Sequence, residues 1–241
     1  MNRFSFQEYK EIINRIKKTH QVLDFSDIDD FTNNFAIIRH DVEFSVERAH
    51  ALAQLENKLG VCSSYFFQIR NNAYNIFSKE NIEKIQSIAK MGHKIGIHVH
   101  LGMLKNIKYL ERYISDDITV MQNFLDIPID RFSFHRPTKE VLLLNLKMNG
   151  LINAYEDRFF EYRNKEDNLE NLRVKYFADS MHRWDYGYPD SASLQLYPKL
   201  QLLVHPFSWT RLGYDYFSNI NVLIDEKSSI LSSTIDLEMA E

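Results

Sequence analysis

The most constraining feature of this sequence is a repeated alternation between short apolar runs and longer segments with helical periodicity. Seven runs have the length of a strand, and several are apolar almost throughout, as in parallel strands that are buried on both faces. The predicted strands are 35–42, 61–69, 93–100, 131–136, 151–156, 174–180 and 200–206. This order predicts βα units with right-handed crossovers, and therefore an α/β fold.

Helix start and stop signals separate most of these runs. Ser45 and Ser78 stand where N-caps are expected, and Gly60 and Gly92 stand where the corresponding helices should stop. A further helical pattern begins at Thr138 and runs to the next glycine, at position 150. The charged stretch 157–173 fits neither pattern well and is predicted to be a loop with a short helix.

A chain of 241 residues has the usual length of a single α/β barrel. Because no linker or change of composition interrupts it, we predict one domain over 1–241. Its first 34 residues form an N-terminal helix and lead-in, and Ser5 with Glu8 makes a capping box there. The stretch from about 215 to 241 is a C-terminal extension, either a last helix or a tail used in assembly.

Net charge and hydropathy limit the classes of molecule that the protein can be expected to bind. The net charge of -4 leaves no broad basic field, which argues against nucleic acid or an anionic membrane as the main partner. No segment has the length of a membrane span, and the N-terminus lacks the pattern of a signal peptide, so we expect a cytoplasmic protein. The single cysteine, Cys62, excludes an intramolecular disulfide and is expected to be a buried, inert thiol because it lies in an apolar run.

Ionisable side chains gather at the carboxyl ends of the predicted strands, where βα barrels carry their active sites. Each residue alone has an ordinary explanation, as a hydrogen-bonded histidine, a cap or a surface corner. The joint pattern is harder to explain in that way and predicts a site. Its members are Asp41, Glu43, His98, His100, His135, Arg136, Asp179 and His205.

Strand periodicity groups some of these residues. Asp41 and Glu43 are two positions apart and should share one face of their strand, and the same holds for His98 and His100. Carboxylate oxygens together with imidazole nitrogens suit Zn²⁺ or a similar divalent metal. Arg39 is expected to balance the charge of the cluster rather than to react.

The motifs at these positions resemble those of a known family. The matching pieces are IIRHDVEFSVERAHALAQLENKLGVCSSYFF, IAKMGHKIGIHVH, FSFHRP, FADSMHRW and LLVHPFSW, in this order over about residues 35–210. They resemble the polysaccharide deacetylases of carbohydrate esterase family four, and most closely the branch whose first motif reads R-H-D-V-D. The resemblance implies a distorted seven-stranded (β/α) barrel, in agreement with the strand count.

The resemblance also implies roles around a metal. Asp41 would be the general base that activates water, and Glu43, where the family has aspartate, would bind the metal together with His98. The family's second metal histidine lies four residues after the first, at the position of Gly102 here. His100 or His135 must then supply the third ligand, or else the metal is weakly held or absent.

Further residues are assigned by the same resemblance. Arg136 would orient the base, Asp179 with Trp184 would form one wall and tune the acid, and His205 would protonate the leaving amine. Three aromatic residues are predicted to stack on a sugar face, with packing in the core or rim as the alternative. They are Tyr65, Trp184 and Trp209.

The leading hypothesis is therefore metal-assisted hydrolysis of an N-acyl group, in the first place N-acetyl, on an amino sugar. A cytoplasmic location would favour a nucleotide-linked or lipid-linked precursor as the substrate. One alternative is a catalytically degenerate barrel that binds a saccharide or metabolite, and another is a hydrolase of a formyl amide, an O-acetyl ester or a cyclic amide. The sequence has neither a glycine-rich phosphate loop nor a G-x-S-x-G motif.

Overall fold

The computed structural model describes residues 3–104, 106–161 and 172–240. Its strands are β1 (Gln21–Val22), β2 (Phe35–Val42), β3 (Ser64–Phe67), β4 (Lys94–His100), β5 (Arg131–His135), β6 (Ile152–Asn153), β7 (Lys175–Ala178) and β8 (Lys199–Val204). Its α-helices are α1 (Phe6–Thr19), α2 (Val46–Leu59), α3 (Lys79–Lys90), α4 (Leu110–Leu125), α5 (Lys139–Leu143), α6 (Ser191–Leu196) and α7 (Tyr216–Glu238).

All strands belong to one parallel sheet in the order β6-β5-β4-β3-β2-β8-β7. Each of these seven strands coincides with one of the seven predicted runs, β8 beginning one residue before its run, so the predicted fold class is confirmed. The eighth strand, β1, pairs with the start of β2 and was missed because Gln21 and Val22 belong to no apolar run of strand length. No ladder joins β6 to β7 in the described part of the chain, so the barrel is open on that side.

Side chains that cross the interior show how strongly the sheet curls. Gln201 of β8 donates hydrogen bonds of 2.9 Å to the carbonyl oxygens of Ala154 and Phe159, which follow β6. Arg39 of β2 donates to the hydroxyl of Tyr155 over 2.7 Å. The interior faces of β2 and β8 therefore lie against the segment after β6. The sheet curls into a distorted barrel rather than remaining flat.

The predicted capping residues cap their helices. The hydroxyl oxygens of Ser5, Ser45 and Ser78 accept hydrogen bonds from backbone N–H groups in the first turns of α1, α2 and α3. Helix α2 ends at Gly60, which has a φ of 66°, a left-handed conformation that glycine adopts without strain. Local sequence signals therefore fix these three helices.

The helix after Thr138 is shorter than its sequence pattern indicates. Asn145 has a φ of 43°, and its side chain exchanges hydrogen bonds with Asp157, which ends α5 far before Gly150. The predicted loop over 157–173 lies partly outside the described residues, since 162–171 are not among them.

The fold also bears on the expectations for Cys62 and for the C-terminal extension. Cys62 is exposed, because β3 begins three residues later than the predicted strand, and the expectation of a buried thiol is wrong. The C-terminal extension contains α7, whose first turns pack on α2 through an ion pair between Glu226 and Arg48 of 2.8 Å. No helix in the described ranges is long and apolar enough to cross a membrane.

Candidate active site

The end of β2 places a buried carboxylate at the centre of the barrel. Asp41 accepts hydrogen bonds from Arg39 Nη2 at 2.9 Å and from Ser133 Oγ at 3.2 Å. Burial by itself would raise the pKa of Asp41, but the charges of Arg39, His98 and His205 outweigh it and lower that pKa. Asp41 is therefore held ionised in one orientation.

Three ligand atoms converge beside Asp41. Glu43 Oε1 lies 2.9 Å from His135 Nδ1 and 3.7 Å from His98 Nε2, and the two histidine nitrogens are 3.3 Å apart. A tetrahedral Zn²⁺ with bonds of about 2.0–2.1 Å has ligand atoms about 3.3–3.4 Å from one another. The three residues therefore fit a divalent metal, and they form a cluster of possible ligands in the described chain.

Ser133 fixes the ring of His98, and sequence reasoning missed this residue. It is paired in register with His98 across β4 and β5, and its Oγ lies 2.8 Å from His98 Nδ1. Because the single hydroxyl proton of Ser133 is donated to Asp41, the oxygen accepts the Nδ1–H of His98. In the neutral imidazole this contact places the proton on Nδ1, so that the lone pair of Nε2 faces the candidate metal site.

A second group of residues surrounds His205. His205 Nδ1 lies 2.7 Å from Asp179 Oδ1, and Trp209 Nε1 donates to Asp179 Oδ2 over 2.7 Å. Burial would lower the pKa of His205, but the hydrogen bond and charge of Asp179, with Glu43 and Asp41, raise it to about 9. The Nε2 of His205 lies 3.9 Å from Glu43 Oε1, so its proton faces the candidate metal site.

His135, and not His100, completes the set of three candidate ligands, and the packing around Gly102 shows why. The ring of His100 stacks on that of His135, with centroids 5.1 Å apart, and is not one of the converging ligands. A Cβ atom at position 102 would lie only 2.9 Å from Cε1 of His100. Any side chain at this position would therefore displace His100, so the absence of a histidine there and the presence of His100 are linked.

Arg136 does not occupy the position expected from the resemblance. It is exposed, has a φ of 48°, and makes no hydrogen bond to Asp41 among the described residues. Arg39 holds that carboxylate instead, because it precedes Asp41 by two positions on the same face of β2. The orienting role assigned to Arg136 is corrected accordingly.

The three aromatic residues predicted to contact a sugar also require correction. Tyr65 pairs in register with His40 on the outer face of the sheet, and its hydroxyl donates to Glu56 over 2.7 Å. Trp209 is fully buried, and it, rather than Trp184, donates to the carboxylate behind His205. Trp184 packs in the apolar cluster around α1. None of the three lines a cavity described below.

Two cavities flank the converging ligands. The first, of about 320 Å³, contains Asp41, His98 and His205 and has a wall of apolar and aromatic side chains. The second, of about 710 Å³, contains His100 and His135 together with several amide side chains. Glu43 and Arg136 line both cavities, so the candidate metal site lies at their junction.

Comparison with known proteins gives structural matches only. No protein-family model and no curated protein matches the chain. The chain resembles solved structures of carbohydrate esterase family 4. With the chitin deacetylase of the fungal pathogen Colletotrichum lindemuthianum it shares 12% identity over 87% of each chain, with a TM-score of 0.45.

Two further matches are of the same kind. The Xyl-CE4 domain of a multidomain xylanase, from the hindgut metagenome of Trinervitermes trinervoides, shares 9% identity over 84% of each chain, with a TM-score of 0.44. A pseudoenzyme of this family from Bacillus anthracis shares 11% identity over 82% of this chain and 61% of that chain, with a TM-score of 0.47. All three belong to the family that the sequence motifs resemble, and they assign no function to this chain.

Proposed function

We propose that this protein is a metal-dependent hydrolase that removes an N-acyl group, in the first place N-acetyl, from an amino sugar or a related carbohydrate precursor. The observation that carries the proposal is the convergence of Glu43, His98 and His135 at ligand distances, next to Asp41 and His205. The amino-sugar substrate rests on the resemblance of the motifs.

The residues divide the chemistry between them. A divalent metal held by Glu43, His98 and His135, Zn²⁺ in the first place, would supply a Lewis acid that polarises the acyl carbonyl group and lowers the pKa of water. Asp41, anchored by Arg39, would accept the proton of the attacking water. Its low pKa keeps it ionised and ready to do so at neutral pH.

His205 would complete the reaction as the general acid. With its pKa raised to about 9, this imidazole carries a proton at neutral pH. Asp179 holds Nδ1, so the proton on Nε2 is the one presented to the leaving nitrogen. Trp209 keeps Asp179 in place and is a positioning residue.

The first test is metal content, measured by mass spectrometry on tag-free protein. We expect about one divalent ion per chain in the wild type and loss of that ion in His98→Ala. His50→Ala is the matched control, because His50 contacts Ser87 between helices α2 and α3, away from the candidate site, and its loss should leave the metal in place. Screening for acetate release from N-acetylated sugars follows if the metal is found.

A second candidate function has its own observation. Gly102 stands where the family's second metal histidine lies, and no hydrogen bond or ion pair joins Arg136 to Asp41 among the described residues, so two elements of the family pattern are missing. Both would fit a degenerate barrel that binds a saccharide or metabolite without hydrolysing it. Absence of bound metal, even after soaking with zinc, would favour this candidate over the hydrolase. A cytoplasmic location stays a prediction.

A further inference from the structure

Arg136 lies at the junction of the two cavities without an assigned role. It follows His135 at the end of β5 and precedes Pro137, and it lines both cavities together with Glu43. We propose that Arg136 forms an anion-binding subsite beside the candidate metal centre. This inference rests on the proposed function and narrows its substrate to an amino sugar that carries a phosphate or carboxylate group.

The charges around the site support this assignment. The carboxylates of the site already have partners in the protein, and Arg136 has none among the described residues. Asp41 pairs with Arg39, Asp179 with His205, and Glu43 with His135. Arg70, the only other arginine that lines either cavity in the described chain, pairs with Asp117. The positive charge of Arg136 is therefore available to a ligand.

The second cavity also offers a hydrogen-bond donor that is not used. Gln68 is 4% exposed and lines this cavity, and its Oε1 accepts a hydrogen bond of 2.6 Å from Asn71. Its Nε2 has no partner among the described residues. A buried amide donor without an acceptor is costly, and a ligand rich in acceptor oxygens would supply one.

The backbone conformation of Arg136 also supports a role in binding. A φ of 48° is unusual for a large side chain, and such residues concentrate at sites where function requires them. The residue is fixed on one side by the β5 ladder, which ends at His135, and on the other by the proline ring. A guanidinium group held there can bind the two oxygens of a carboxylate or phosphate side by side.

The test is calorimetric binding to zinc-loaded protein that also carries Asp41→Asn, so that turnover does not disturb the measurement. The probes are N-acetylglucosamine, its 1-phosphate and the corresponding 6-carboxylic acid. We expect either or both anionic sugars to bind about tenfold more tightly than the neutral one, or better. The stronger of the two identifies the source of the anion as phosphate or carboxylate.

Variants assign the preference to its residue. Arg136→Gln should reduce the affinity for the anionic sugar to that for the neutral one, and Arg136→Lys should restore part of the difference. Arg112→Gln, at an exposed arginine of α4 that pairs with Asp116, should keep the full preference. Equal binding of all three sugars by the parent protein, or a preference that survives Arg136→Gln, would overturn the inference.

The inference and the proposed function can fail separately. Anion preference without any hydrolysis by the wild type would overturn the hydrolase and support the subsite. If the wild type hydrolyses N-acetylated sugars but the neutral and anionic sugars bind with equal affinity, the hydrolase is supported and the subsite is overturned. If no sugar binds at all, the subsite is overturned by the calorimetry alone.

Discussion

Strand β2 separates two buried clusters of charged side chains, one on each face. On the outer face, the carboxylate of Glu56 accepts hydrogen bonds from Tyr9, His40, Ser63 and Tyr65. Glu56 is completely buried, and no cavity adjoins it among those found in the described chain. We call this group the outer cluster.

The inner cluster consists of Asp41, Glu43, His98, His135 and His205. The contacts between its members are longer, from 2.9 to 3.9 Å, and the ligand atoms of Glu43, His98 and His135 converge on a point beside two cavities. The comparison teaches that burial and charge alone do not identify a site. What distinguishes the inner cluster is that lone pairs and a proton remain directed at space that a ligand can enter.

The largest expected effect is on the rate of deacylation, when a residue of the inner cluster is changed. Asp41→Asn should reduce the rate of deacylation by about 10²–10⁴-fold, because the general base is lost while the shape of the side chain is kept. The rate is measured as acetate release, with circular dichroism to check that the fold is retained. A variant with unchanged turnover would remove Asp41 from the mechanism.

Glu56→Gln, in the outer cluster, should lower the stability of the fold and leave the metal site unchanged. Removing one member of a buried charged network typically costs about 3–5 kcal/mol in the free energy of unfolding. Urea denaturation measures that loss, and the metal content per folded chain should stay at the wild-type value. A loss of metal from the folded fraction would show that the two clusters are not independent.

The outer cluster also predicts a dependence of stability on pH. Burial would raise the pKa of Glu56, but the charge and hydrogen bond of His40, with His93 and Ser63, lower it from 4.5 to about 2. A depressed carboxylate pKa stabilises the folded state above the unfolded value, and this contribution is lost as pH falls from about 4.5 towards 2. Urea titrations across this range should show a steeper loss in the wild type than in Glu56→Gln.

A smaller effect tests how the inner cluster is oriented. Ser133→Ala removes the hydroxyl group that fixes the tautomer of His98 and should weaken zinc binding by about 10–100-fold. Competition with a zinc-binding dye measures the affinity. Ser87→Ala is the control, because Ser87 contacts His50 between α2 and α3 and should leave the zinc affinity unchanged. Equal affinities in both variants would contradict the role of Ser133.

The smallest and sharpest test concerns Gly102. In a His135→Ala background, Gly102→His alone should restore little zinc binding, because His100 occupies the space next to position 102. Adding His100→Ala frees that space and should restore more binding than either change alone. If Gly102→His by itself restores the affinity, the link between His100 and Gly102 is wrong.

The sequence by itself determined the seven main strands, their order along the chain and the capped helices between them. It also predicted that Asp41, near the end of β2, and Glu43, just after it, face the same side, and both approach His98. These features depend on local periodicity and on capping residues, which a reader of the sequence can see directly. The phase of each strand was less certain, because strands buried on both faces are apolar on both. For Tyr65 the sequence therefore left contact with a sugar and packing in the core both open, and the structure shows packing.

Only the tertiary structure decided which side chains meet. The distance between His135 and Glu43 depends on how β5 aligns with β4 and how the sheet curls, and neither is written in a local pattern. The same is true of Trp209, which holds the carboxylate behind His205 and lies 30 positions from Asp179. Partners that lie tens of residues apart are brought together by register and packing, and these set the distances on which the chemistry of the site depends.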